Sequence, residues 1–96
     1  MPVYIINNMS IHDLGEYKTY AKAFMPTIQP FGGKVLAAQN SPQPLEGQWP
    51  FDRTVLLEFP SRELAEQWAS STEYQAIAVH RRAGTTSNVV VLEGLS

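Results

Sequence analysis

Two segments of this chain offer no polar side to water: Val3-Tyr4-Ile5-Ile6 near the start and Val89-Val90-Val91-Leu92 near the end. Thr54-Val55-Leu56-Leu57-Glu58-Phe59 is nearly as apolar. Successive side chains of a strand point to opposite faces, so a strand with one wet face alternates. An unbroken apolar run predicts a strand covered on both faces. The rest of the chain supplies only two helical regions, enough to cover one face of a sheet. The other face is expected to pack on a second copy of the chain. The alternative is a monomer whose longest loop folds over that face.

Ninety-six residues predict one domain, spanning 1–96. A chain this short buries a smaller share of its surface than a large domain, so dimerisation would help. The formal charge of −2 comes with no basic stripe: Lys18, Lys22 and Lys34 are scattered and only Arg81-Arg82 are adjacent. Nucleic-acid binding therefore lacks its electrostatic footprint. The absence of cysteine excludes disulfides, thiolate metal sites and thiol nucleophiles. No apolar run is long enough to span a membrane, and no secretory signal is visible at the N-terminus. A soluble, cytoplasmic protein is expected.

Punctuation along the chain separates the elements. The first strand is predicted from Val3 to Asn7. Ser10 and Asp13 suggest a capping box, and Leu14, Tyr17, Ala21, Phe24 and Ile28 follow at helical steps. Pro26 should kink or end that helix near Phe24. Pro30-Phe31-Gly32-Gly33 marks a turn, and Lys34 to Gln39 reads as strand two. Asn40 to Asp52, with Pro42, Pro44, Gly47 and Pro50, is the longest loop. Arg53 to Phe59 is strand three. Ser61 caps the second helical region, which carries Leu64, Ala65 and Trp68 inward. Ser70 and Glu73 suggest a further cap for a short helix, Glu73 to Arg82. Asn88 to Glu93 is strand four. The order strand-helix-strand, strand-helix-strand predicts an α+β, ferredoxin-like fold with a four-stranded antiparallel sheet and an isologous dimer.

Four segments carry a family resemblance: Phe31-Gly32-Gly33-Lys34-Val35-Leu36, Leu45-Glu46-Gly47-Gln48-Trp49, Leu57-Glu58-Phe59-Pro60-Ser61, and Trp68 followed by Ser71-Thr72-Glu73-Tyr74-Gln75. Their order and spacing resemble the domain of unknown function 1330 family, nearly end to end. The resemblance implies a dimeric α/β barrel with a ligand cleft between sheet and helices, and it implies no established activity. The wider superfamily includes cofactor-free monooxygenases, haem-degrading monooxygenases, chlorite dismutases and isomerases. Fold alone does not choose among them.

Several residues could carry chemistry. Glu46, in the long loop beside Gly47, suits a general base or a polar substrate contact, unless it is a solvated loop carboxylate. Glu58 interrupts an apolar strand and, if buried, needs a partner. Arg53 sits at an odd offset on the same strand and so on the opposite face, leaving Arg81 as the better candidate. An ion pair or a polar group at the dimer seam is the structural alternative for Glu58. Tyr74 could donate a hydrogen bond, Arg53 or Arg81 could hold an anion, and Trp49 and Trp68 are further binding candidates. Tyr17, Tyr20, Phe24, Trp68 and Tyr74 are expected mostly in the core, though a cleft lined with them would suit a flat, largely apolar ligand. His12 and His80 have no carboxylate at ligand spacing, so no metal site is expected. Haem-degrading members of the superfamily use an Asn on the first strand, then a Trp and a His. Asn7, Trp68 and His80 follow that order here, but the twelve-residue interval from Trp68 to His80 is too long. The leading expectation is a small-molecule enzyme of the cofactor-independent oxygenase or isomerase kind, requiring no cofactor. A non-catalytic binding or accessory dimer is the alternative, with haem handling behind both.

Overall fold

The computed structural model describes residues 1–95. Strand β1 (Val3–Ile11) leads into helices α1 (Leu14–Lys22) and α2 (Met25–Ile28), then a 3-10 turn (Gln29–Phe31). Strands β2 (Lys34–Asn40) and β3 (Arg53–Phe59) follow, joined by the long loop. Helices α3 (Arg62–Ala69) and α4 (Thr72–Gly84) precede strand β4 (Thr85–Glu93). The sheet order is β2-β3-β1-β4, and every neighbouring pair is antiparallel. Each strand-helix-strand unit thus skips one strand, which defines the ferredoxin-like split arrangement.

Local chemistry explains where the helices begin. Asp13 Oδ1 accepts from the Glu16 backbone N–H at 3.2 Å, so Asp13 is the N-cap of α1. Ser10, expected in that role, instead lies in β1 opposite Thr86. Ser61 caps α3 as its sequence suggests, accepting from Leu64 N–H. The cap of α4 is Ser71 rather than Ser70, which ends α3. The helix breaks after Lys22, and Pro26 falls in the first turn of α2, where a missing N–H is tolerated. Strands β1 and β4 are both longer than the apolar runs, because their polar ends still pair: Met9 with Ser87, Ser10 with Thr86, Ile11 with Thr85.

Parity along the strands sorts the sheet into two faces. Val3, Ile5 and Met9 of β1 and Leu57 and Phe59 of β3 face the helices and are buried. Tyr4, Ile6 and Asn8 pair with Glu58, Leu56 and Thr54 on the outer face. A bulge at Leu36, between Val35 and Ala37, keeps β2 in step with both faces. The chain measures 32 × 31 × 16 Å, which leaves room for one sheet and one helical layer. The outer face is therefore bare, with Val90 51% and Leu92 49% exposed. The long loop shields only one corner of it: Trp49 Nε1 donates to Thr54 Oγ1 at 2.8 Å, and Thr54 donates to Asn8 Oδ1. The alternative of a loop folded across the whole face does not hold in this structure.

Sheet and helices pack closely at Gly33. A Cβ placed there would lie 2.7 Å from the Phe59 ring and 2.9 Å from Ile28 Cβ, both fully buried side chains. Gly32 before it closes the 3-10 turn with a left-handed backbone, φ 73°. We expect Gly33→Ala to lower stability by about 1–3 kcal/mol through overpacking, read as a lower denaturation midpoint. An unchanged midpoint would contradict this packing.

Candidate functional site

A cleft of about 350 Å³ opens between the inner face of the sheet and helices α1, α3 and α4. This lies within the usual range for small-molecule sites, roughly 300–1,000 Å³. Its apolar floor includes Ile5, Val55 and Leu57, and its walls are aromatic: Tyr17, Tyr20 and Phe24 from the first half, Trp68 and Tyr74 from the second. The spacing of three and four residues along α1 places Tyr17 and Tyr20 on one face, directly over the sheet. Trp68 is the hub. Its ring lies 4.1 Å from Tyr74, 5.1 Å from Phe59 and 6.1 Å from Phe24, and its Nε1 donates to Thr27 Oγ1.

Polar groups enter this apolar cleft at defined points. The Tyr20 and Tyr74 hydroxyls share a buried hydrogen bond of 3.0 Å. One phenol donates, and the acceptor keeps its own proton for a further partner. Arg53 donates through Nε to the Tyr17 hydroxyl at 2.9 Å and through Nη1 to Asn40 Oδ1 at 2.8 Å. Its guanidinium also lies 5.9 Å from the Tyr17 ring centre, and Arg81 lies equally far from Tyr20. Arg81 Nε and Asn7 Oδ1 are buried and have no hydrogen-bond partner among the described residues. A buried polar atom without a partner costs on the order of 1–3 kcal/mol, so these two atoms weigh against the packing around the cleft.

The sequence-predicted residues divide cleanly. Arg53, Arg81, Trp68 and Tyr74 all line the cleft. Glu46, Glu58 and Trp49 do not. Glu46 is exposed on the loop. Glu58 lies on the outer face between Tyr4 and Lys34, so its expected pairing with Arg81 is corrected: the sheet separates them. The Tyr4 phenol is pushed above its ordinary value, first by lost hydration and then by the Glu58 charge. Trp49 is held at the outer corner by Thr54 and stacks edge-on against Phe51. His80, central to the haem comparison, pairs with Glu16 at 2.8 Å between α4 and α1, outside the cleft lining. Among the described residues no cluster of three or more His, Cys, Asp or Glu side chains is placed to hold a metal ion. No helix among them is long and apolar enough to cross a membrane.

Sequence reasoning missed three polar members. Gln75 and Arg82 line the cleft without having been given a site role, and Asn7 drew notice only in the haem comparison. Its signal was available: on the odd-numbered face of β1 it is the one polar residue among Val3, Ile5 and Met9.

Burial, above all, and then the neighbouring Tyr74 phenol hold the Tyr20 hydroxyl protonated well above its ordinary value of 10.0. It is a hydrogen-bond donor across the physiological range and not a base. The raised value also sets a sign for stability. The unfolded chain releases this proton near pH 10 while the folded chain keeps it, so the contribution is complete below about pH 10 and is lost above. We expect denaturation midpoints to fall above that pH and to fall less steeply in Tyr20→Phe. That variant should also lose roughly 1 kcal/mol at pH 7 through the broken phenol pair. Parallel alkaline slopes in the two proteins would contradict the assignment.

Comparison with known proteins places this geometry in context. A protein of unknown function from Rhodopseudomonas palustris is similar at 20% identity and TM-score 0.84, covering 99% of this chain and 83% of that one. A dimeric ferredoxin-like protein of unknown function from Thermobifida fusca is similar at 12% identity and TM-score 0.72, covering 98% and 92%. SnoaB, a cofactor-independent oxygenase from Streptomyces nogalater, is similar at 10% identity and TM-score 0.68, covering 99% and 94%. At these identities the likeness shows the fold. No curated protein matches. The profile described as Domain of unknown function (DUF1330) matches residues 2–95, and the chain belongs to that family.

Proposed function

We propose that each chain binds a flat, largely apolar small molecule in the cleft and stabilises an anionic, enolate-type form of it. The observation that carries this reading is the aromatic-walled cleft itself, lined by Arg53, Arg81 and the hydrogen-bonded Tyr20–Tyr74 phenol pair. Donors fixed in a dry site stabilise negative charge where it develops on oxygen. Two reaction types use such an anion. Isomerisation returns a proton to another carbon of the same molecule and needs no co-reactant, but it needs a base for the first proton, and no carboxylate or imidazole is among the described lining residues. Oxygenation takes dioxygen as oxidant: a ring methylene becomes a ketone, and the second oxygen atom leaves as water. The fold shared with a cofactor-independent oxygenase is compatible with the latter. Binding without turnover is favoured by one feature: no Asp, Glu or His is among the described residues lining the cleft.

The working unit in this proposal is a two-fold homodimer joined through the outer face of the sheet. Exposed Leu36, Val90 and Leu92 supply the apolar surface, and related ferredoxin-like proteins are described as dimeric. Removing such side chains from water is worth about 25 cal/mol per Å².

Two measurements check this proposal. Native mass spectrometry of protein purified gently from its source should show two chains and a reproducible organic adduct. Ala38→Phe, which fills the cleft, should lose the adduct and keep the dimer. A wild-type dimer without any adduct would sink the binding reading. Val90→Asp on the outer face should shift sedimentation to one chain at micromolar concentration. A dimer that persists in that variant would place the interface elsewhere.

A further inference from the structure

We infer that the cleft selects a ligand that is already an anion: a flat apolar frame carrying a carboxylate or an ionised acidic hydroxyl. This rests on the reading of the cleft as a small-molecule site and adds its charge selectivity. The chain as a whole has a formal charge of −2, yet the charged residues lining the cleft are Arg53, Arg81 and Arg82. None of the three has a carboxylate within salt-bridge distance among the described residues, whereas Arg62 engages both Glu66 and Glu93. A net-acidic protein that gathers arginines in an apolar cleft and keeps its carboxylates out of it creates a local positive field that favours an anion.

Each arginine is held differently. Arg53 is fixed by Asn40 and Tyr17, so its fork is oriented before any ligand arrives. Arg82, at the exposed rim, donates to Gln75 Oε1, and Gln75 in turn donates to the Ala69 carbonyl. Arg81 lines the cleft with its guanidinium 5.9 Å from the Tyr20 ring centre. A planar carboxylate or a ring oxyanion matches the geometry of a guanidinium edge.

The cleft also lacks a group that would make the anion. Its titratable side chains are the phenols of Tyr17, Tyr20 and Tyr74 and the three guanidiniums. Tyr20 is held protonated by burial and by Tyr74, and guanidinium does not act as a base. His80, the imidazole nearest in sequence, faces Glu16 on α1. The ligand's own acidity must therefore supply the charge.

Isothermal titration at pH 7 with three probes on one naphthalene frame tests this: 2-naphthoate, a dinitro-1-naphthol that is ionised at this pH, and neutral 2-naphthylmethanol. We expect the ionised probes to bind at least about tenfold more tightly than the alcohol, the scale of one charge-assisted hydrogen bond. Arg81→Gln should bring that preference below about threefold, and Arg53→Gln should do the same if the first variant fails to fold. Tight binding of naphthoate alone assigns a carboxylic acid, of the naphtholate alone an acidic hydroxyl, and of both the shared anion. Equal binding of all three probes would overturn the charge inference and leave the cleft as a neutral-ligand site. No binding of any probe at millimolar concentration would overturn both.

Discussion

The Trp68 side chain holds the two halves of this protein together. It is buried on α3, packs against Phe59 from the sheet and Phe24 from the first helical region, and lies closest to Tyr74 on α4. Its one polar atom is satisfied by Thr27, which itself donates to the Phe24 carbonyl. A single indole therefore touches sheet and helices from both strand-helix-strand units. Aromatic contacts of this kind contribute roughly 0.5–1.5 kcal/mol each beyond the area they bury. More important is what they fix. The wall that carries Tyr74 and Arg81 is one rigid helix, and its distance from the sheet is set at Trp68.

Rigidity of that wall gives the cleft its chemical character. The guanidinium of Arg53 is braced by two hydrogen bonds before a ligand enters, so little side-chain freedom remains to be lost on binding. The phenol pair of Tyr20 and Tyr74 bridges α1 and α4, and burial keeps the Tyr20 hydroxyl protonated. The result is a site built from donors, sparse in acceptors, and backed by aromatic rings. Such a site orients and stabilises negative oxygen and has little means of removing a proton from carbon.

The architecture was legible because it is written in short-range pattern. Unbroken apolar runs marked the strands, Ser61 and Pro26 marked helix ends, and face-counting anticipated a bare sheet surface. Errors of one to three residues at caps arose where neighbouring Ser and Asp residues compete for the same backbone N–H groups, as Ser70 and Ser71 do. The site was only half legible. Strand parity correctly separated Arg53 from Glu58, but nothing local says that Lys34 and Tyr4 stand beside Glu58 or that Glu16 meets His80. Those are pairings across the chain, fixed by topology. Glu46 and Trp49 looked functional because they sit in a long loop. That loop instead closes on the outer face through Trp49 and Thr54.

The sheet order has a consequence for how the chain is made. Strand β1 is synthesised first and ends up in the middle, where Val3 pairs with both Phe59 and Glu93. Its second neighbour, β4, follows the other three strands in sequence. Until it pairs, β1 has one open edge and an apolar Val3-Tyr4-Ile5-Ile6 run beside it, a template for pairing with other chains. Sheet closure requires contacts across nearly the whole sequence, which slows folding relative to local structure. The growing chain therefore passes through an interval in which one edge of this apolar strand is open until β4 pairs with it.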